Sequence, residues 1–120
     1  MTLKSYRDLE VWRKAMSLVK AVYVATSLYP SEEKFGLVSQ MRRAAVSIPS
    51  NLAEGHARSG SGEFKHFISI AMGSVAELEA QTILSVDLNY MAENTAKGIL
   101  SQLDEVGKML RGLYKSLSTQ

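Results

Sequence analysis

The stretch SQMRRAAVSIPSNLAEG, from Ser39 to Gly55, decides the fold because it carries two helical patterns at once. Residues three and four positions apart share one face of an α-helix. At this spacing one face of the stretch is apolar, and it consists of Met41, Ala45, Ile48 and Leu52. A neighbouring face, here called the polar seam, consists of Gln40, Arg43, Ser47, Asn51 and Glu54.

Pro49 lies in the middle of both faces. A proline inside a helix removes one hydrogen bond and clashes with the carbonyl four residues earlier, here that of Ala45, at a cost of about 3 kcal/mol unless compensated. Both patterns keep their phase across Pro49, so we expect a kink rather than a break. Ser47, Ser50 and Asn51 are expected to bond the freed backbone groups.

The rest of the chain has helical periodicity and no strand-like alternation. Turn signals at Tyr29-Pro30 and at Ser59-Gly60-Ser61-Gly62 separate long helical segments. Long helices joined by short loops favour antiparallel neighbours. We therefore predict an all-α protein, an antiparallel up-down-up-down four-helix bundle with a kinked second helix, in one domain over residues 1–120. The predicted helices cover about residues 7–28, 31–58, 63–89 and 95–117.

The apolar residues of the first and third predicted helices lead to separate expectations. In the first helix they follow a 3-4 spacing that predicts one buried face. That face consists of Leu9, Trp12, Met16, Val19, Tyr23 and Thr26. In the third helix one predicted face consists of Phe64, Ile68, Ala71, Val75, Leu78, Thr82 and Val86, and it is widened by Phe67, Ile70, Leu84 and Leu88. Because the apolar arc is so wide, we expect burial on more than one side, and hence an oligomer.

Composition limits the class of protein. The chain has 120 residues, 46% hydrophobic and 22% charged, which is ordinary for a soluble domain with a sizeable core. It has no cysteine, which excludes disulfides, thiolate metal sites and cysteine catalysis. The first ten residues mix charges of both signs, and no uncharged apolar run approaches the roughly 20 residues that span a bilayer. We expect a cytoplasmic protein without a secretory signal or a membrane partner.

The net charge of +2 is unevenly spread. Residues 59–93 carry one lysine against five carboxylates, whereas both terminal segments are basic. In a four-helix bundle the first and last helices are neighbours, so their cations would share a surface able to contact phosphates. The alternative is that these cations belong to ordinary solvated faces. The candidate nucleic-acid-binding residues are Arg13, Lys14, Lys20, Lys108, Arg111 and Lys115.

The polar seam needs partners if it is buried, because an unsatisfied buried polar group costs about 1–3 kcal/mol. Glu77 and Gln81 of the third helix are the natural partners, and Arg43 with a carboxylate would make a bidentate pair. We favour a structural network that fixes helix register. A ligand or catalytic site, an oligomer contact, and an enzyme with Glu54 and Glu77 as paired carboxylates are the alternatives.

Two catalytic or metal signatures are incomplete in this sequence. Glu63 and His66 have the Glu-x-x-His spacing of di-iron bundles, but such a site needs two of these motifs. The other histidine, His56, has Ala53 where the second glutamate should be. The chain has no G-x-S-x-G elbow. We therefore predict no catalytic residue, no cofactor and no metal.

Three stretches resemble one family: YRDLEVWRKA at residues 6–15, FGLVSQMRRAAVSIPSNLAEG at 35–55 and ISIAMGSVAELEAQ at 68–81. The chain resembles the bacterial four-helix-bundle proteins encoded in intervening sequences of the 23S ribosomal RNA gene. It is also similar to the accessory variability determinants of diversity-generating retroelements. These resemblances imply a homopentamer, with RNA or a reverse-transcriptase-like protein as partner, but no activity, since most members have no established function.

We therefore expect a non-enzymatic oligomeric scaffold that binds RNA or a nucleic-acid-processing protein. The alternative is a purely structural or protein-interaction module with no nucleic-acid role, in which the opposite charges of different helices serve assembly.

Overall fold

The computed structural model describes residues 5–118, which form four α-helices and no strand. The helices are α1 (Glu10–Thr26), α2 (Leu37–Ala57), α3 (Ser61–Asp87) and α4 (Glu93–Ser118). Along this part of the chain each helix packs against the next, and α4 packs against α1, so the four enclose a common core. The all-α four-helix bundle is confirmed, while the up-down-up-down order stays a prediction.

Two helices begin later than predicted because a short 3₁₀ turn precedes each of them. Tyr6–Asp8 form the turn before α1, and Ser31–Glu33 form the turn before α2. Ser31 is therefore not the N-cap of α2. Instead the Oε1 atom of Glu33 accepts a hydrogen bond of 3.2 Å from the backbone N–H of Leu37, so a carboxylate satisfies a free donor at the start of the helix.

Glu33 also ties the start of α2 to the connection between α3 and α4. The Tyr90 hydroxyl donates to the Oε2 atom of Glu33 at 2.9 Å. This hydrogen bond to a carboxylate is the main reason that the pKa of Tyr90 is raised. The ring centroids of Tyr29 and Tyr90 are 5.3 Å apart. Burial of Tyr29 raises the pKa of its hydroxyl. The two tyrosines and Glu33 thus hold one end of the bundle together.

The apolar face of α2 is buried as predicted. Met41, Ala45, Ile48 and Leu52 have no exposed surface. Pro49 is also buried, and α2 continues through it from Leu37 to Ala57. A break at the proline is therefore excluded, while the kink stays a prediction.

The buried face of α1 differs from the predicted one. The predicted face is buried only at its two ends, Leu9 and Thr26. Between them Trp12, Met16 and Val19 are half-buried and Tyr23 is exposed. The residues that enter the core are Val11, Ala15, Leu18 and Val22. Both sets satisfy a 3-4 spacing, and the core takes the set with smaller side chains because it lets α1 approach its neighbours closely.

Candidate binding surfaces

The polar seam lies along the groove between α2 and α3 and is largely open. In the single chain Gln40, Arg43 and Glu54 are exposed, and Ser47 and Asn51 are half-buried. On α3, the predicted partner Glu77 is exposed and Gln81 is buried. The expectation of a buried network is therefore wrong for the single chain, because side chains at the edge of a helix pair stay in contact with solvent.

The centre of the seam joins α2 to α3 through hydroxyl groups. The Oγ atoms of Ser47 and Ser74 are 2.8 Å apart. The amide nitrogen of Asn51 donates to the Ser47 Oγ and to the Ser47 carbonyl, both at 2.8 Å. The sequence pattern does not single out Ser74, because its contact with Ser47 depends on the rotation of α3. This cluster links the two helices at one register.

The charged members of the seam do not pair across the groove. Glu54 pairs with Arg58 at 3.0 Å, and the Oε2 atom of Glu77 accepts from Gln81 at 3.3 Å. Within residues 5–118 no carboxylate lies within 4.0 Å of the Arg43 guanidinium, so the expected bidentate pair is not formed. The buried Oε1 atom of Gln81 has no hydrogen-bond partner in the described part of the chain.

Arg43 and Glu77 instead share an open depression of about 380 Å³. Gln40, Ser47 and Ser74 also line it, whereas Glu54 does not. An arginine and a carboxylate that face one depression without touching present a donor and an acceptor to a polar partner.

The six candidate cations on α1 and α4 do not form one uninterrupted basic surface. The Lys14 Nζ atom lies 3.5 Å from the Oε1 atom of Glu105 on α4, and the Lys108 Nζ atom lies 3.0 Å from the Oδ2 atom of Asp104. Arg13 donates to the Arg7 carbonyl at 2.8 Å. Both ion pairs are largely exposed and contribute little to stability, but each places a carboxylate beside a cation.

The cations at the end of α4 lie away from α1. A Cβ built on Gly107 would lie 3.7 Å from Val75 of α3, so this side of α4 faces α3. Arg111 lies one turn beyond Gly107, with a guanidinium nitrogen 3.8 Å from the same built Cβ. Lys115 follows one turn later on α4. Lys20 of α1 lies elsewhere and lines a mostly apolar depression of about 510 Å³ between α1 and α4. Nucleic-acid binding by these residues stays a prediction.

A groove between α1 and α2 brings together residues that the sequence analysis did not connect. It has a volume of about 600 Å³. Arg42 crosses it: its Nε atom donates to Thr26 Oγ1 at 3.0 Å and its Nη2 atom to the Tyr23 carbonyl at 3.2 Å. Its guanidinium carbon lies 4.4 Å from the centroid of the Tyr23 ring. We call this site the α1–α2 groove, lined by Tyr23, Lys34, Phe35, Val38, Ser39, Arg42, Arg43, Val46 and Ser47.

The sequence held one usable signal for this groove, the Arg42-Arg43 pair that follows Phe35 at helical distance. Phe35 precedes the first turn of α2, and its side chain is 89% exposed. Arg42 belongs to neither face of the helix, and its contacts with Thr26 and Tyr23 arise only when α1 packs against α2.

The outer side of α3 exposes aliphatic side chains among the carboxylates Glu77, Glu79 and Asp87. The aliphatic residues, each at least two-fifths exposed, are Ile70, Ile83 and Leu84, with Leu88 just after the helix, and the small exposed residues between them are Gly73, Ala76 and Ala80. Of the described helices, α3 alone is long and apolar enough by composition to cross a membrane. It packs against both α2 and α4 in a compact bundle, and this composition is also typical of a core helix in a soluble protein.

Residues 5–118 contain no group of three or more histidine, aspartate and glutamate side chains placed to hold a metal ion. Glu63 lies 3.9 Å from Arg58, and the His66 ring lies edge-on to Phe67 with a centroid distance of 5.7 Å. Glu63 and His66, the two residues with the di-iron spacing, therefore contact different partners, Arg58 and Phe67.

Comparison with known proteins yields a family and a fold. A family model described as 23S rRNA-intervening sequence protein matches residues 7–112. A crystal structure of a protein of unknown function from the S23 ribosomal protein family of Bacteroides thetaiotaomicron VPI-5482 superposes with a TM-score of 0.79. The two chains are 23% identical over 88% of this chain and 95% of the other. No curated protein sequence matches the chain. The resemblance to retroelement accessory proteins is untested by these comparisons.

Proposed function

Since this chain belongs to the 23S rRNA-intervening sequence protein family, we propose that it is a non-enzymatic cytoplasmic scaffold that assembles with copies of itself and binds nucleic acid. The observation that carries the assembly is the exposed aliphatic surface of α3. That helix buries the polar Ser74, Gln81, Thr82 and Ser85, while Ile70, Ile83 and Leu84, together with Leu88 just after it, stay exposed. Exposed apolar surface of this kind is typical of a protein–protein contact.

The apolar side chains lie on both flanks of the small residues Gly73, Ala76 and Ala80. Small residues let a second helix approach closely, and the flanking aliphatic groups would then be buried against it. A homopentamer is the assembly that the family resemblance implies.

The assembly is tested by the mass in solution. Light scattering after size exclusion should give several times the chain mass of 13.2 kDa. Leu84→Lys places a charge on the outer face of α3 and should shift the mass toward one chain, because burial of an unpaired charge is unfavourable. Val24→Lys, at a 72% exposed position of α1, is the matched control and should leave the mass unchanged. A wild-type mass of 13.2 kDa at every concentration would rule the assembly out.

The nucleic-acid role is supported by the exposed cations of α1 and α4. Four of the six, Arg13, Lys20, Arg111 and Lys115, have no carboxylate within 4.0 Å in the described part of the chain. Phosphate contacts by such cations release counterions, so RNA affinity should fall steeply with salt. The triple variant Lys108→Gln, Arg111→Gln, Lys115→Gln should weaken RNA binding, and Lys97→Gln is its control. Absence of RNA and DNA binding at low salt, in the assembled protein, would exclude this role.

A second candidate is a structural or protein-interaction module without nucleic acid. It is favoured by the carboxylates beside Lys14 and Lys108, which neutralise part of the basic surface. Reversing the charges of Lys108, Arg111 and Lys115 separates the two candidates. Loss of assembly supports the module, and loss of RNA binding with unchanged mass supports the nucleic-acid scaffold.

A further inference from the structure

We propose that the α1–α2 groove binds a single-stranded segment of nucleic acid, with bases stacked on Phe35 and on Arg42 and phosphates held by Lys34 and Arg43. This inference rests on the proposed nucleic-acid role and adds a site that selects unpaired strands.

The stacking surfaces are two. The Phe35 ring is 89% exposed, and the Lys34 ammonium lies 5.5 Å from its centroid. The Arg42 guanidinium covers the Tyr23 ring and lines the groove, so it offers a second flat surface. Bases of single strands stack on aromatic rings and on arginine planes of this kind.

The Arg42 surface is fixed before any ligand arrives. Two hydrogen bonds to Thr26 and Tyr23 and the ring beneath it hold the guanidinium in place. A group that is already ordered loses little conformational freedom on binding. In contrast to an exposed arginine with many rotamers, Arg42 therefore presents one defined plane to a base.

The charge of the groove favours an anion. Lys34, Arg42 and Arg43 line it, and none of its nine lining residues is a carboxylate. The carboxylate of Glu33, next to Lys34 in sequence, is engaged by Tyr90 and by the backbone N–H of Leu37. The groove thus differs from the α1–α4 side, where Lys14 and Lys108 are paired with acids. Its volume of about 600 Å³ lies within the range of about 300–1,000 Å³ typical of ligand sites.

These features favour an unpaired strand over a duplex. In a duplex the flat faces of the bases are covered by their neighbours, and a protein meets mostly phosphates and groove edges. A site made of a protruding ring, a fixed guanidinium and flanking cations uses base faces and phosphates together, which only an unpaired strand presents.

The test measures fluorescence anisotropy of labelled oligouridine and of an RNA duplex over a range of salt concentrations. Wild-type protein should bind oligouridine more tightly than the duplex. Phe35→Ala should weaken oligouridine binding about tenfold, the scale of one stacked base, without changing the salt slope. Lys34→Gln and Arg43→Gln should each make the log–log salt slope shallower by about 0.7, the contribution of one single-strand phosphate contact. The matched control is Leu28→Ala, at an 87% exposed position outside the groove, which should change neither quantity.

Several outcomes would overturn the proposal. Unchanged oligouridine binding in the Phe35 and Arg43 variants, with loss in the triple Lys108, Arg111 and Lys115 variant, would reject the groove and leave the proposed function standing. No RNA binding by wild-type protein would reject both. A changed assembly mass in Phe35→Ala would make the groove a contact between copies. Displacement of oligouridine by an acidic aromatic peptide that binds more tightly would assign the groove to a protein partner.

Discussion

The α3 and α4 helices are of nearly equal length, yet they divide their side chains between core and solvent in different ways. The α4 helix buries Ile99, Leu103, Val106 and Leu110 and exposes charged residues. The α3 helix buries hydroxyl groups and an amide beside its apolar core residues, and it exposes aliphatic side chains among charged ones. The first pattern is that of a helix with one side in a core and one in water. The second is expected of a helix that is covered on both sides.

The buried hydroxyl groups of α3 are tolerated because each returns to its own helix. Thr82 Oγ1 donates to the Leu78 carbonyl and Ser85 Oγ to the Gln81 carbonyl, both at 2.8 Å. A buried donor satisfied in this way avoids the cost of an unmade hydrogen bond. The comparison teaches that both helices supply apolar residues to the core, and that α3 adds a close, partly polar fit.

The largest expected effect comes from removing an apolar contact of α4. Leu103→Ala should reduce the free energy of unfolding by about 2–5 kcal/mol, because Leu103 is fully buried. Leu84→Ala on α3 should cost less than about 0.5 kcal/mol in the dissociated chain. Urea denaturation at low protein concentration measures both. At higher concentration, Leu84→Ala should lose the extra stability that assembly gives to the wild type. Equal losses at low concentration would contradict the contrast between the two helices.

The second effect comes from the close approach of α2 to α3. A Cβ built on Gly55 would lie 2.7 Å from the Phe67 Cβ and 3.0 Å from the Phe64 ring. Gly55→Ala should therefore destabilise by about 1–3 kcal/mol, because the helices must separate. A Cβ built on Gly112 of α4 would meet no heavy atom within 4 Å in the described part of the chain, apart from its chain neighbours and the backbone of its own helix. Gly112→Ala should therefore stabilise by up to about 1 kcal/mol. Thermal denaturation of the two alanine variants gives the comparison, and a stabilised Gly55→Ala would be the contrary result.

The third effect concerns the hydroxyl cluster that joins the same two helices. Ser74→Ala removes the partner of Ser47 and should cost about 1 kcal/mol, the net contribution of one hydrogen bond. Ser69→Ala, exposed on the same helix, should be neutral within about 0.5 kcal/mol. Chemical denaturation distinguishes the two. A neutral Ser74→Ala would mean that the cluster does not fix the register of α3.

These contacts explain how far the sequence could predict the fold. The buried face of α2 was predictable because Met41, Ala45, Ile48 and Leu52 follow helical spacing directly beside the polar seam, which marks one edge of the face. The buried face of α3 was also predictable, because Ile68, Ala71, Leu78 and Thr82 lie on the predicted face and are fully buried. The exposure of Ile70 and Leu84 was not, because apolar residues cover a wide arc of that helix and periodicity cannot choose the edge of its buried face. That edge is set by tertiary contacts, such as the fit of Phe67 against α2.

The candidate sites were less predictable than the fold, because they depend on how each helix is rotated against its neighbours. The sequence identified the polar seam on α2, but the pairing of Arg43 depends on the rotation of α3, which leaves Glu77 across an open depression. The α1–α2 groove depends on which face of α1 is buried. The displaced face leaves Tyr23 outside the core, where Arg42 packs over it.

The smallest expected effect is a change of stability at high pH, and it tests the end of the bundle that joins α3 to α4. The folded pKa of Tyr90 is raised by its hydrogen bond to Glu33, and that of Tyr29 by burial. A raised folded pKa means that the unfolded chain loses its proton first, so stability is full below the unfolded value of about 10 and falls as the pH rises through the folded value. Tyr90→Phe should flatten this fall, as measured by urea midpoints between about pH 9 and 11. Tyr114→Phe, whose hydroxyl is outside this contact, should follow the wild type. An identical decline in Tyr90→Phe and wild type would show that the Glu33 contact does not link α2 to the α3–α4 connection in solution.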